Sequence, residues 1–366
     1  MSLPLRRASS PRVHRPLITA LAATGILLAA TALAGPAHAA TTQYKLTLSA
    51  IPNATFSAIN NNGDIIGDAP QPGSSFTQPF IMKAGGPPLL LNAPAGQAGN
   101  GFATADGLNN GDLVVGQFDS GLFTALKWPA GSATPADLSQ LPTLAKSFFD
   151  TQATAVNDSG LIVGFGETPG SNGDLTKSFT IQGATVKVLP LLPRGSDANA
   201  IAVDPAGTTI VGNADTTTQD AMAVEWVNGA IKKLPALGAT LTSGALAVNA
   251  AGQVVGSAVL NSDGNAHAVL WANGKATDLH FGAGGDAEAT SVNASGVIVG
   301  DGAVGDGGQD AFISQNGTAT DLNTLIPAGS GVTLNTAASV NDHGVIVGIA
   351  TTANGGTIGY ELTPAG

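Results

Sequence analysis

The chain of 366 residues has no cysteine. Disulfide staples, thiol chemistry and lipid attachment at a cysteine are excluded. Charge is scarce too, at 11% of residues, and the shortage of Glu and Lys argues against long helices. Only three Trp and two Tyr are present, too few for an obvious aromatic sugar-binding platform. The sequence holds no H-E-x-x-H, no G-x-S-x-G and no G-x-x-x-x-G-K-[ST], so zinc-protease, serine-hydrolase and P-loop chemistry lack their signatures.

The one long apolar run stands near the start. Arg6, Arg7, Arg12 and Arg15 precede an uncharged run from Leu17 to Ala34, and Ala37 and Ala39 then occupy the −3 and −1 places of a small-residue cleavage site. This layout predicts a secretory signal peptide over 1–39, cut after Ala39. The alternative is an uncleaved anchor, because the run approaches the roughly 20 residues of a membrane span. No second stretch of spanning length follows, so the mature body is expected outside the membrane, in a bacterial periplasm or released from the cell. Without the leader, ten basic residues face 25 acidic ones, a net charge of −15. Such a surface repels nucleic acid and anionic lipid.

What the sequence has in quantity is glycine, 49 residues of it, set in a repeat. "VNDSGLIVG", "VNAAGQVVG", "VNASGVIVG" and "VNDHGVIVG" are variants of one block, and seven copies span 59–67, 108–116, 156–164, 203–212, 248–256, 292–300 and 340–348. Their last glycines are spaced by 49, 48, 48, 44, 44 and 48 residues, a period typical of repeat architectures. Each unit spells four short strands, as in "ALAVN", "QVVGSAV", "HAVLWANG" and "KATDLHF" of the fifth. Asn followed by Gly suits a tight hairpin, with Asn capping its own backbone and Gly taking positive φ. The second glycine, inside a strand, is expected to mark close contact between units.

Seven four-stranded units predict an all-β, seven-bladed β-propeller over residues 40–366. The ends complement each other. "YKLTLSAIP" at 44–52 resembles a fourth strand, while "GTIGYELTP" at 356–364 resembles a third strand with no fourth after it. The N-terminal strand is therefore expected to complete the last blade, which an open solenoid would not need. The small first strands belong at the axis, and Trp128, Trp226 and Trp271 belong in the core between blades.

The blocks "ALAVNAAGQVVGSA…HAVLWANGKATDL" and "ATSVNASGVIVGDG…DAFISQNGTATDL" resemble the repeat of bacterial exported HAF-repeat proteins. The triplet that names the family is degraded here to His267-Ala268-Val269, Asp310-Ala311-Phe312, Gln78-Pro79-Phe80 and Asp220-Ala221-Met222. The resemblance covers about residues 43–363 and implies an extracellular or periplasmic propeller. It carries over no catalytic or binding residue.

A propeller puts the loops between second and third strands, and the connectors between blades, on one face, here called the top. Five carboxylates, Asp286, Glu288, Asp301, Asp306 and Asp310, fall in the top sector of the sixth blade. Calcium is the metal that such glycine-rich acidic loops would take. Acidic loop tips are more commonly plain surface, so no metal ligand, cofactor or catalytic residue is assigned. His267, His280 and His343 are expected at separate places. Lys146, Lys177, Arg194 and Phe118 are scattered over different blades, with Arg194 the most attractive anion contact. Two functions fit: a non-catalytic exported scaffold or binding module, monomeric, with a glycan or protein ligand on its face; or a carboxylate-dependent hydrolase or other carbohydrate-active enzyme using the top face.

Overall fold

The Asn-x-x-Gly segments of the repeated block close their hairpins by the same chemistry. In the first, the Oδ1 of Asn60 accepts from the backbone N–H of Asn62 at 3.0 Å and of Asp64 at 2.9 Å. Gly63 takes φ +81° at the corner, a conformation that costs glycine nothing. The second copy departs from the pattern. Its glycine comes one place early, so Asp112 occupies the left-handed corner at φ +60°, and its carboxylate is held by Lys83 of the preceding blade.

The computed structural model describes residues 43–365, apart from 72, 74, 75, 98, 171–173, 217–219, 283, 284, 305–307 and 316. The proposed leader, 1–39, and Asp306 lie outside the described residues. The chain is a seven-bladed propeller of four-stranded antiparallel sheets. Blade one comprises Thr55–Ile59, Ile65–Pro70, Thr77–Met82 and Pro88–Leu90. First strands of successive blades touch one another all round the ring, which makes them innermost. The last blade contains Val332–Val340, Ile346–Thr352 and Thr357–Pro364, and Tyr44–Leu48 is its fourth strand. Tyr44 stands opposite Pro364 and Leu48 opposite Tyr360, so the ring closes as the complementary ends predict. Among the described residues a short α-helix, Pro142–Ser147, and two 3-10 turns, Leu138–Gln140 and Leu322–Leu325, interrupt the all-β pattern, with Leu144 buried beneath the α-helix. Among the described residues no helix is long and apolar enough to cross a membrane.

The core consists of seven wedges between adjacent blades. Ile66 and Ile81 of blade one, for example, pack on Ala105, Phe118 and Trp128 of blade two. Trp128, Trp226 and Trp271 are all buried. Each reaches back to the strand end or connector behind it, donating from Nε1 to the carbonyls of Asn92, Pro190 and Pro235 at 2.8–3.1 Å. Phe118, expected on the top face, is a core residue at 2% exposure.

The second glycine serves a different purpose from the one its position suggests. A Cβ on Gly67 would lie 1.9 Å from the carbonyl oxygen of Thr55, and one on Gly300 would lie 2.0 Å from that of Glu288. The close neighbour is the first strand of the same blade, not another unit. That strand bulges by one residue at the same place in all seven blades, as between Phe56 and Ala58 or Ala289 and Ser291. The bulge pushes its carbonyl into the space a side chain would need.

Candidate functional site

The axis of the ring has two mouths. On the face opposite the top, a depression of about 260 Å³ is lined by the seven hairpin turns. Here the repeated asparagines do more than cap. While Oδ1 closes its own turn, Nδ2 donates to the backbone carbonyl of the equivalent residue in the next blade: Asn60 to Asn109, Asn109 to Asn157, Asn157 to Asp204, Asn249 to Asn293, Asn293 to Asn341, and Asn341 to Asn60, at 2.9–3.4 Å. The circle lacks one link. Asp204 caps its turn through Thr208 and Thr209 but has no N–H to offer blade five. Asp204→Asn supplies that donor and is expected to stabilise the ring by about 1 kcal/mol, seen as a higher urea midpoint. An unchanged or lower midpoint would show that blades four and five are too far apart there for the bond.

A second tier of bonds covers part of this mouth. Asn110 pairs with Asp158 through both backbone and side chain, and Asn61 pairs with Asp342 in the same way. Pro205 and Ala250 occupy the matching places in blades four and five, while Ala294 of blade six keeps half of the pattern, its backbone N–H donating to Asp342 Oδ1 at 2.8 Å. The carboxylates and carboxamides at this mouth hold the blades together.

On the top face the expected acidic sector is only partly assembled. Glu288 and Asp301 stand directly opposite each other on neighbouring strands. Burial, reinforced by the charge of Glu288, pushes the Asp301 carboxyl up to about 6, against a hydrogen bond from Gln309. Burial also raises Glu288, which accepts from Ser257 at 3.3 Å. Asp286 is employed elsewhere, accepting from the backbone of Ala266 at 2.7 Å. Asp310 lies opposite Gly302 on the third strand. Among the described residues no group of three or more His, Asp or Glu side chains is placed to hold a metal ion.

The Asp301 shift has a measurable consequence. A carboxyl whose folded pKa lies above its unfolded value of about 4 favours the folded state as pH falls through 6, and penalises it as pH rises. Asp301→Asn keeps an acceptor for Gln309 and removes the charge. It is expected to add about 1–3 kcal/mol at pH 8 and much less at pH 4, read from urea denaturation at both values. Equal effects at the two pH values would show that the charge is not the cause. Asp68 and Asp106 act in the same direction. Burial pushes Asp68 to about 6 and Asp106 to about 7. Asp106 is the bulge residue of its strand; it reaches solvent, although that strand is one of the innermost seven that crowd the axis.

The histidines are less dispersed than the sequence suggests. The Nδ1 of His267 meets Asp278 at 2.8 Å and its Nε2 meets Asp263 at 3.0 Å, while His280 approaches the same Asp278 at 3.5 Å. Burial opposes protonation of His267, but its two carboxylate partners outweigh that and raise its pKa. With both ring nitrogens engaged, His267 staples the loop to the blade edge. His343 sits in a hairpin turn of the opposite face, its N–H bonded to Asn341. Arg194 is exposed at a left-handed corner, φ +67°. Lys146 and Lys177 lie apart, on the helical turn and on a third strand.

A groove of about 180 Å³ opens between blades one and two, lined by Gln71, Gln78, Asn92 and Phe102 among others. Phe76, 38% exposed, stacks on Phe102 with ring centroids 6.0 Å apart and planes inclined by 21°. Nothing in the sequence spacing places Phe76 beside Phe102, and no motif marks either residue.

No family model matches the chain, and no curated protein does. Among solved structures it is similar to the β-propeller domain of the Trilobed protease from Pyrococcus furiosus, at 12% identity and a TM-score of 0.53, covering 75% of this chain and 84% of that one. It is also similar to a puromycin-hydrolyzing peptidase from Mycobacterium tuberculosis, at 12% identity and a TM-score of 0.50, covering 85% of this chain and 53% of that one. The chain thus spans about half of that peptidase. The Pyrococcus furiosus domain is described as having an open velcro topology, whereas the N-terminal strand here pairs with the last blade. At this identity the likeness establishes the fold, and the chain is a β-propeller.

Proposed function

We propose that the protein is an exported, non-catalytic binding module whose working surface is the top face. The observation that carries this reading is the engagement of His267 and Ser196. Both nitrogens of His267 are tied to carboxylates, and the Ser196 hydroxyl bonds Asp197 and Asp215 at 2.8 and 2.7 Å. The asparagines and aspartates of the axial mouth bond one another. Catalysis needs such groups directed at a substrate. A ring clamped by inter-blade bonds offers instead a rigid frame for loops, which suits recognition.

Export belongs to the same proposal, supported by the arginine-led apolar leader and the small-residue site at Ala39. The HAF-type blocks agree with it. Mass spectrometry of protein from the native host is expected to find Ala40 as the first residue; an intact leader in the membrane fraction would favour the anchor.

One observation favours the hydrolytic alternative. Glu288 and Asp301 face each other with raised pKa values, as an acid–base pair would. A panel of glycoside and ester substrates separates the two readings. No turnover is expected, and turnover abolished by Asp301→Asn would establish the enzyme.

A further inference from the structure

We propose that the groove between blades one and two binds a neutral oligosaccharide, one pyranose ring resting against the Phe76–Phe102 wall with its hydroxyls met by Gln71, Gln78 and Asn92. This rests on the binding-module reading and names its ligand. Three independent features converge on it. The first is charge. From Ala69 to Ala105 the chain carries one charged residue, Lys83, and that lysine lies in an opposite-face turn, bonded to Asp64 and Asp112. Elsewhere on the top face, carboxylates such as Asp174, Asp215, Asp263 and Asp286 dominate. An acidic rim around an uncharged groove repels acidic polymers and leaves neutral ones unaffected.

The second feature is the aromatic wall. Phe102 lines the groove, and Phe76, 38% exposed, stacks on it and extends the wall outward. The Phe76 carbonyl accepts from the N–H of Gln71 at 3.2 Å, and the Phe76 ring is braced by Phe102. A flat apolar surface of this kind suits the CH face of a sugar ring. The third feature is the donor and acceptor set. Amide side chains both give and accept hydrogen bonds, as sugar hydroxyls require. Gln78 Nε2 is anchored on the carbonyl of Leu91 at 3.2 Å, which aligns its Oε1 as an acceptor. The volume, about 180 Å³, admits a single ring, so further residues of the chain would run out over the neutral top of blade one.

The test uses the purified full-length chain on an array carrying neutral oligosaccharides (glucan, mannan and galactan fragments), uronic-acid oligosaccharides and uncharged peptides, followed by calorimetry on the best neutral binder. Selective retention of neutral glycans is expected. Phe76→Ala should weaken it by about tenfold or more, while Phe76→Trp retains it and Leu241→Ala, an exposed apolar change on blade five, leaves it unaltered. Preference for uronic-acid chains, or neutral-glycan binding indifferent to Phe76→Ala, overturns the assignment. Retention of peptides alone overturns the glycan but keeps the binding module. No retention of any probe counts against both.

Discussion

Deleting residues 41–52 is expected to unfold the ring or leave it at the edge of stability. The lost strand takes with it the buried Tyr44 and the partly buried Leu46 and Leu48, all packed on the last-blade core beside Tyr360 and Leu362. Burial of that much apolar side chain is worth roughly 5 kcal/mol, against a total stability of about 5–15 kcal/mol for an ordinary domain. The deletion also strips the pairing from Thr357–Pro364 and exposes an apolar strand edge. Urea denaturation and light scattering should therefore show a large fall in midpoint together with self-association, taking the chain from Ala40 as reference. A monomer with an unchanged midpoint would mean that closure contributes little.

The second large effect belongs to the glycines inside the second strands. Gly300→Ala would set a methyl group 2.0 Å from the Glu288 carbonyl and 2.8 Å from the Phe312 ring. The carbonyl is backbone, held by the bulge, and has nowhere to retreat. A loss of about 3 kcal/mol or more is expected. Gly244→Ala is the control, because a methyl there meets nothing within 4 Å. Comparable losses for both would show that glycine matters for chain flexibility and not for the close approach.

The architecture was readable because it depends on repetition and on the two ends. Seven hairpin signals at a near-constant period fix the blade count, and "YKLTL" beside "TIGYELTP" fixes the closure. The roles of individual residues were less readable where they depend on a neighbour in space. An asparagine that caps its own turn looks the same in sequence whether or not its amide bridges to the next blade. Gly67 reads as a contact between blades, and only the bulge at Ser57 shows that the contact is within one. Phe118 looks like a loop residue because it follows Gly116 closely, yet the pleat turns it into the core. The carboxylates of blade six are close in sequence, but Asp286 lies outside the strand pairing that sets Glu288 against Asp301. His267 and His280, 13 residues apart, reach the same aspartate because one begins a third strand and the other follows the fourth.

The asparagine links have a consequence for ancestry. Each donates a hydrogen bond to a main-chain oxygen, and every amino acid carries one. A blade so joined makes no demand on the side chain of the blade it meets. A gene segment encoding one unit could be copied and set beside any other, and the junction would form without matched changes on either side. The sequences of the copies were then free to drift apart everywhere except at the asparagine, the turn and the strand glycine. Those are the positions that still spell nearly the same word, with asparagine in six copies, aspartate at 204 and an early turn glycine at 111.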